Sequence, residues 1–182
     1  MNNKELVRIG KFLSLILRHS PETIKIKLDK NGWADVDLLI KQMNKHKYRI
    51  TLQDLEFIVA NNSKKRYSFN EDKRKIRANQ GHSLEINLEL KAVSPPKKLF
   101  HGTADKFLES IYENGLLKKQ RHHVHLSTDI KTAIKVGHRH GKVAVFEVDS
   151  ERMSEDGIAF FVSENNVWLT DSVPPKYLKR IK

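Results

Sequence analysis

The spacing of apolar residues changes from a helical to a strand period near residue 65, and this change sets the order of elements in the first half of the chain. Up to residue 60, apolar residues recur at intervals of three and four, as in helices that bury one face. In RYSF (66–69) and KIRAN (75–79) they alternate with polar residues, as in half-buried strands. The pattern predicts an α+β fold in which helices precede a hairpin.

The first two helices have recognisable ends. A helix over residues 5–17 should stop near Arg18–His19, because Pro21 disfavours helical geometry at the residue before it. A turn at Asn31–Gly32 follows. We expect a second helix after it, with Asp35 or Asp37 as the residue that caps its N-terminus.

A third helix and the hairpin complete the first domain. Thr51 is predicted to cap a helix whose apolar stripe consists of Leu52, Leu55, Ile58 and Val59. The hairpin has a polar loop at 70–74 and an apolar face formed by Tyr67, Phe69, Ile76 and Ala78. Three helices followed by a basic hairpin is the order of a winged helix, which we expect over residues 1–92.

The Pro-rich stretch KAVSPPKK (91–98) is the best candidate for a linker, so a second domain is expected over residues 93–182. Strand-like and helix-like segments alternate there, which predicts a mixed α+β domain. The predicted strands are 98–103, 124–127, 143–149 and parts of 158–173, and the predicted helices run from Asp105 to a stop at Gly115 and over 129–137.

The composition favours certain partners and excludes some chemistry. The 182 residues carry a net charge of +12, which favours polyanions, above all nucleic acid, although a lysine-rich surface is the alternative. The lack of cysteine excludes disulfides, thiolate metal sites and cysteine nucleophiles. No apolar run approaches the roughly 18 residues of a membrane span, so we expect a cytoplasmic protein without membrane contact.

Four basic sites are candidates for binding a phosphate: Arg18–His19, Arg66, Arg77 and Arg121. A guanidinium donates two parallel hydrogen bonds to phosphate, and an imidazole can hold or release a proton near neutrality. Each site also has a simpler explanation, because basic residues complement the dipole at a helix end and solvate an exposed strand face. On the residues alone, both explanations stay open.

Two other segments combine polar residues with strands. RHHVHLS (121–127) places His123 and His125 on one strand face, but no Asp, Glu or Cys at ligand spacing completes a zinc site, so no metal is expected. FHGT (100–103) ends a strand with a small polar turn, which offers backbone donors and one imidazole.

The chain closely resembles the RNA 2′-phosphotransferases of the KptA type in segments that keep their order and spacing from about residue 8 to the C-terminus. The segments are LSLILRHSPE, NGWADVDLLI, KKRYSF, IRANQGHS, FHGTA, GLLKKQRHHVHLS, TAIKVGHRHG and ENNVWLT. The resemblance implies a winged-helix lobe that binds RNA, over 1–92, and an ADP-ribosyltransferase-like lobe that binds NAD, over 93–182.

The resemblance also implies the reaction. An internal RNA 2′-phosphate, on a tRNA-like substrate, would be removed with NAD as a consumed co-substrate. The reaction would pass through an ADP-ribosylated RNA phosphate and yield 2′-hydroxyl RNA, nicotinamide and ADP-ribose 1″,2″-cyclic phosphate. A monomer is expected, because nothing in the sequence demands more.

Site residues follow from the same resemblance, motif by motif. The implied catalytic residues are Arg18, His19, Arg66 and Arg121. The implied NAD contacts are His101, Gly102, Thr103 and Ser127, with Gln80, Gly81 and His82 as further contacts. Residues 164–168 would form a wall of the cleft, and Lys64, Lys65, Arg74, Lys75 and the segment 137–142 are candidates for contacting RNA phosphates.

This chemistry suits a site rich in arginine. A phosphomonoester has a second pKa of about 6, so it attacks as a dianion without a general base. Histidine is the residue type among the four that exchanges a proton near pH 7, as the second step requires. Two alternatives remain at this stage: a nucleic-acid binder without enzymatic activity, and an ADP-ribosyltransferase that modifies another acceptor.

Overall fold

The computed structural model describes residues 2–182, which have a mixed α and β structure. The chain divides into two compact units, Met1–Glu89 and Leu90–Lys182. The described residues contain six α-helices and several small sheets, and all the strand pairs are antiparallel. This arrangement confirms the α+β class predicted from the sequence.

The helices of the first unit begin at capped positions. They are α1 (Asn3–Arg18), α2 (Val36–Lys45) and α3 (Leu52–Ala60). The Asp35 side chain accepts from the Leu38 N–H, and Thr51 forms a reciprocal capping box with Asp54. The predicted end of α1 at Arg18 and the two predicted caps are therefore confirmed.

A three-stranded sheet follows in the order β1 (Ala34–Asp35), β3 (Lys75–Ala78), β2 (Tyr67–Phe69). The predicted hairpin is confirmed, with Tyr67 opposite Ala78 and Phe69 opposite Ile76. The sequence did not predict β1, which places Ala34 opposite Ile76. Two residues directly before a helix cap are too few to show an alternating pattern.

The core of the first unit lies between the helices and one face of this sheet. Its buried members include Leu13, Leu17, Leu39, Leu55 and Ile76. The predicted stripe of α3 is wrong at Leu52, which is 44% exposed. Leu52 is the first residue of the helix, directly after its cap, and the packed stripe begins one turn later at Leu55.

The second unit contains three small sheets and three α-helices. The strands are β4 (Lys98–Ala104), β5 (Leu116–Leu117), β6 (Val124–Leu126), β7 (Val143–Asp149), β8 (Phe160–Val162), β9 (Trp168–Thr170), β10 (Ser172–Val173) and β11 (Leu178–Arg180). They pair in the orders β11-β7-β4, β6-β9-β8 and β10-β5. The helices are α4 (Leu108–Asn114), α5 (Ile130–Gly137) and α6 (Ser150–Glu155).

The Pro-rich stretch predicted as a linker is partly bound to the second unit. The Val93 N–H donates to the Phe160 carbonyl at 2.9 Å, and Ala92 pairs with Phe161. These contacts place the beginning of the second unit at Leu90. The assignment of an RNA-binding domain to 1–92 and an NAD-binding domain to 93–182 stays a prediction. None of the helices described in residues 2–182 combines the length and the apolar composition of a membrane-spanning segment.

Candidate functional site

The end of α1 carries the first two candidate catalytic residues. The N–H groups of His19 and Ser20 both donate to the Leu15 carbonyl, which closes the last turn of the helix. Arg18 is half-buried and His19 is exposed. The basic pair therefore lies where the helical hydrogen-bond pattern stops, as the position of Pro21 predicted.

The loop 79–83, which follows β3, is hydrogen-bonded both to the end of α1 and to the residue before β2. At one end of the loop, the Asn79 N–H donates to the Arg66 carbonyl at 2.8 Å. At the other end, the Ser83 N–H donates to the Arg18 carbonyl at 3.0 Å, and Ser83 Oγ lies 2.9 Å from Nδ1 of His19. The loop is thus attached to three of the predicted catalytic residues, which the structure brings together within the first unit.

Arg66 lies directly before β2 and is fixed by neighbouring polar groups. Its N–H and its Nη1 donate to Oδ1 of Asn62, at 3.3 and 3.4 Å. The preceding residue, Lys65, has a left-handed backbone with φ of 39°, and its carbonyl accepts from the Asn79 side chain at 2.7 Å. The backbone around Arg66 is therefore bonded to the same loop that contacts Arg18 and His19.

The phenol of Tyr67 is hydrogen-bonded to α1 and feels the charges of Arg18 and Arg66. Its hydroxyl donates to the Gly10 carbonyl at 2.7 Å and lies 2.6 Å from Oγ of Ser14. Burial raises the pKa of Tyr67, while the bond to Ser14 and the charges of Arg18 and Arg66 lower it. Sequence reasoning treated Tyr67 only as a core residue, because its alternating position gives no sign of its polar contacts.

Arg77 and His82 have other surroundings. The guanidinium of Arg77 stacks over the Trp33 ring, 4.4 Å from its centroid, on the strand face opposite the buried Ile76. His82 is only 1% exposed and lies against Gly32, where an added Cβ would come within 3.4 Å of Nε2. His82 therefore has a packing role in the loop, and its predicted contact with NAD stays a prediction.

In the second unit, β4 and β6 bring FHGT next to RHHVHLS. Phe100 and Ser127 exchange two backbone hydrogen bonds, each 2.8 Å long. Nδ1 of His101 lies 3.0 Å from the His125 carbonyl, and since a carbonyl only accepts, Nδ1 carries the proton. The structure thus places two of the predicted NAD contacts close in sequence to this pairing, with His101 on β4 next to Phe100 and Ser127 directly after β6.

The imidazole of His101 is held in its neutral form. Burial lowers the pKa of His101 most strongly, and the charges of Arg121 and His140 lower it further, whereas the bond to the His125 carbonyl raises it. With Nδ1 protonated, Nε2 of the neutral ring can only accept a hydrogen bond.

Gly102 has a structural reason to be glycine. A Cβ at this position would lie 1.7 Å from the Ala133 carbonyl oxygen, because α5 packs directly on β4. The neighbouring Thr103 is 7% exposed. Close packing thus accounts for Gly102, and the predicted NAD contacts of Gly102 and Thr103 stay predictions.

Arg121, the fourth predicted catalytic residue, is exposed in the loop before β6. Its Nη1 lies 3.4 Å from Nδ1 of His125, and because a guanidinium only donates, His125 accepts. His125 therefore contacts both Arg121 and His101, a connection that sequence reasoning missed. The convergence of Arg121 with Arg18, His19 and Arg66 stays a prediction.

His123, in the same segment, has an apolar neighbour. The ring of His123 lies 5.5 Å from that of Phe161, and burial lowers the pKa of His123. Among the described residues, no group of three His, Cys, Asp or Glu side chains is placed to hold a metal ion.

Comparison with known proteins adds independent findings. The family model described as "RNA 2'-phosphotransferase, Tpt1 / KptA family" matches residues 4–172. A protein of Fusobacterium nucleatum, described as "Probable RNA 2'-phosphotransferase", is 58% identical over 174 residues, covering 95% of this chain and 97% of its own. Proteins with the same description from Flavobacterium johnsoniae (98% of both chains) and Nostoc punctiforme (100% of both) are 54% and 51% identical.

Proposed function

The chain belongs to the RNA 2′-phosphotransferase family, and from this membership we propose that it removes a 2′-phosphate from RNA with NAD⁺ as a consumed co-substrate. The observation that carries the proposal is the cluster at the end of α1, where Arg18, His19 and Arg66 are attached to one loop. The loop bonds the main-chain carbonyls of Arg18 and Arg66 and the ring of His19, and the guanidinium groups of the two arginines suit a phosphate dianion.

We assign the two units different parts of this function. Three helices and a three-stranded antiparallel sheet support a winged-helix role in RNA binding for the first unit. The second unit would be an ADP-ribosyltransferase-like lobe that binds NAD⁺, supported by its resemblance in FHGT and RHHVHLS.

The candidate NAD⁺ contacts fit a ligand rich in hydroxyl and amide donors. Nε2 of His101 only accepts, so it suits a ribose hydroxyl rather than a phosphate oxygen. Gln80 has a buried Oε1 that no donor within residues 2–182 reaches, and a ligand N–H or O–H would satisfy it. The exposed guanidinium of Arg121 offers a charge for a phosphate.

The chemistry then follows from charge. In the first step the RNA 2′-phosphate, already a dianion at pH 7, attacks the anomeric carbon of the nicotinamide ribose, and nicotinamide leaves as a neutral molecule. In the second step the adjacent ribose hydroxyl attacks phosphorus and the RNA 2′-oxygen departs. Arg18, Arg66 and Arg121 stabilise the charge on the phosphoryl oxygens, and His19 exchanges the proton.

The decisive experiment incubates the protein with NAD⁺ and a short RNA that carries one internal 2′-phosphate. We expect release of nicotinamide, an RNA with a 2′-hydroxyl, and ADP-ribose cyclic phosphate, each identified by mass. An RNA with 2′-phosphate that binds without nicotinamide release would indicate a binding protein. An adduct that persists would indicate an ADP-ribosyltransferase with another acceptor.

Replacing His19 tests the division of roles between the two steps. His19→Ala should still release nicotinamide but accumulate ADP-ribosylated RNA, because only the second step needs the proton. His46→Ala, at the exposed end of α2, is the matched control. Rapid completion of both steps by the His19 variant would contradict the assignment.

A matched series tests the arginines. Arg18→Ala, Arg66→Ala and Arg121→Ala should each lower turnover by roughly 10²–10³, the usual cost of losing one donor to a transition state. Lysine at these positions should not fully restore it, because the planar fork is lost. Arg77→Ala, which removes a guanidinium stacked on Trp33, is the control and should retain turnover.

A further inference from the structure

Ser83 makes two contacts with adjacent residues that carry the proposed reaction. Its backbone N–H donates to the Arg18 carbonyl at 3.0 Å, and its hydroxyl oxygen lies 2.9 Å from Nδ1 of His19. The proposed function gives Ser83 no part. Its side chain is exposed, so the hydroxyl is not needed to satisfy a group in the core.

The hydroxyl can serve the imidazole in each of its protonation states. It donates to Nδ1 when that nitrogen has a lone pair, and it accepts from Nδ1 when that nitrogen carries a proton. A ring that gains and loses a proton at its other nitrogen, Nε2, can therefore keep the same orientation throughout. A carbonyl in the place of Ser83 could serve only the states with a proton on Nδ1, and an ammonium group only the state without one.

The loop that carries Ser83 is itself held on both sides. Asn79 donates to the Arg66 carbonyl, and the buried His82 packs against Gly32. The position of the Ser83 hydroxyl is thus set by the same segment that is bonded to Arg18 and Arg66. Moving His19 relative to these arginines would require breaking its contact with this loop.

We propose that Ser83 is a positioning residue, which fixes the ring of His19 through Nδ1 and so assigns proton exchange to Nε2. The inference rests on the proposed function. In the second step a bond forms from the ribose 2″-oxygen to phosphorus and the bond from phosphorus to the RNA 2′-oxygen breaks. The proton lost by the hydroxyl passes through Nε2 to the departing oxygen, so the step needs no other reactant.

The test compares Ser83→Ala and Ser83→Thr with the wild type in the NAD⁺ and 2′-phosphorylated RNA assay, following the two steps separately. Ser83→Ala should form cyclic phosphate about 10- to 100-fold more slowly, since small displacements of a catalytic group have costs of this order, while nicotinamide release changes little. Ser83→Thr keeps the hydroxyl and should restore the second step. Ser94→Ala, at an exposed serine in the second unit, is the control.

A spectroscopic measurement separates positioning from stability. The ¹⁵N chemical shift of Nδ1 in the His19 ring, assigned with His19→Gln, should report the hydrogen bond to the hydroxyl in the wild type and in Ser83→Thr. In Ser83→Ala this shift should change because that hydrogen bond is lost, with the melting temperature unchanged.

The possible failures are distinguishable. If the wild type releases no nicotinamide, the proposed function fails and the inference falls with it. If the wild type completes both steps and Ser83→Ala does so at the same rate, or leaves the His19 ring shifts unchanged, the inference alone is overturned.

Discussion

The imidazole of His101 shows how one contact sets the chemical character of a residue. Its Nδ1 donates to the His125 carbonyl, and burial with the nearby charges of Arg121 and His140 keeps the ring neutral. A histidine in a basic sequence, which could be taken for a cation, is therefore a neutral ring that accepts a hydrogen bond at Nε2. Lysine or arginine at this position would put a group that only donates hydrogen bonds in the place of one that accepts at Nε2.

The lowered pKa of His101 predicts a dependence of stability on pH. Above the ordinary value of 6.5 the ring is neutral both folded and unfolded. As the pH falls from 6.5 towards the lower folded pKa, the unfolded chain binds a proton that the folded chain excludes, so the free energy of unfolding decreases. In His101→Asn this decrease should be smaller, as measured by denaturant unfolding between pH 5 and 8.

Asparagine is chosen because its amide can still donate to the His125 carbonyl. His123 also has a pKa lowered by burial, so some loss of stability at low pH will remain in the variant. An identical pH profile for wild type and His101→Asn would contradict the prediction.

Some site residues could be predicted from the sequence and others could not. Arg18, His19 and Arg66 were predicted from motifs, and the structure attaches all three to one loop. The contacts of Tyr67 and Ser83 depend on pairs 57 and 64 residues apart, for which a single sequence has no periodic signal. Their positions become apparent only when β2 and the loop 79–83 pack against α1.

At the scale of elements, the close packing of α5 on β4 depends on two glycines. A Cβ on Gly102 would meet the Ala133 carbonyl, and one on Gly137 would lie 2.5 Å from Cγ2 of Val143 and 2.8 Å from the Thr103 carbonyl oxygen. Backbone atoms on the opposing side cannot move aside as the end of a flexible side chain can. The distance between helix and strand is therefore set by the lack of side chains at both positions.

Gly102→Ala should destabilise the protein by more than about 3 kcal/mol, at or beyond the upper end for overpacked sites, because helix and strand must separate. Gly10→Ala is the matched control, since its added Cβ has no neighbour within 4 Å and lies in a helix. It should stabilise by about 0.5–1 kcal/mol. Chemical denaturation measures both, and equal midpoints for the two variants would contradict this account.

Sequence periodicity predicted the longer elements and missed the short ones. The helices α1, α2, α3 and α5 and the strands β4 and β7 lie where the pattern placed them. Missing were β1 and β5, which have two residues each, α6, whose sequence SERMSE is mostly polar, and β11. The missed strands form by pairing, as β1 does with β3 and β11 with β7. Neither partner is adjacent in sequence.

At the scale of the whole molecule, charge is the property that the sequence determines most directly. The net charge of +12 makes association with RNA an exchange of protein cations for the counterions of the phosphates. The composition does not determine which lysine and arginine side chains contact the RNA phosphates. The candidates Lys64, Lys65, Arg74 and Lys75 lie on or beside the hairpin of the first unit.

The affinity for 2′-phosphorylated RNA should therefore fall linearly with salt on logarithmic axes. The slope should be roughly −0.7 for each phosphate neutralised on a single strand. Substituting Lys64 and Lys65 by glutamine should reduce the slope, whereas Lys176→Gln, whose ammonium already pairs with Asp156, should not. Fluorescence anisotropy over 50–300 mM salt measures these slopes, and a flat dependence would contradict phosphate-dominated binding.

The sequence contains two tryptophans, and the structure places one in each unit. Trp33 lies beneath the guanidinium of Arg77 in the first unit, and Trp168 packs against the core of the second. The intrinsic emission of the wild type is therefore a sum of two chromophores in unlike surroundings. An optical melting curve of this protein reports on each half only after the other indole has been replaced by phenylalanine.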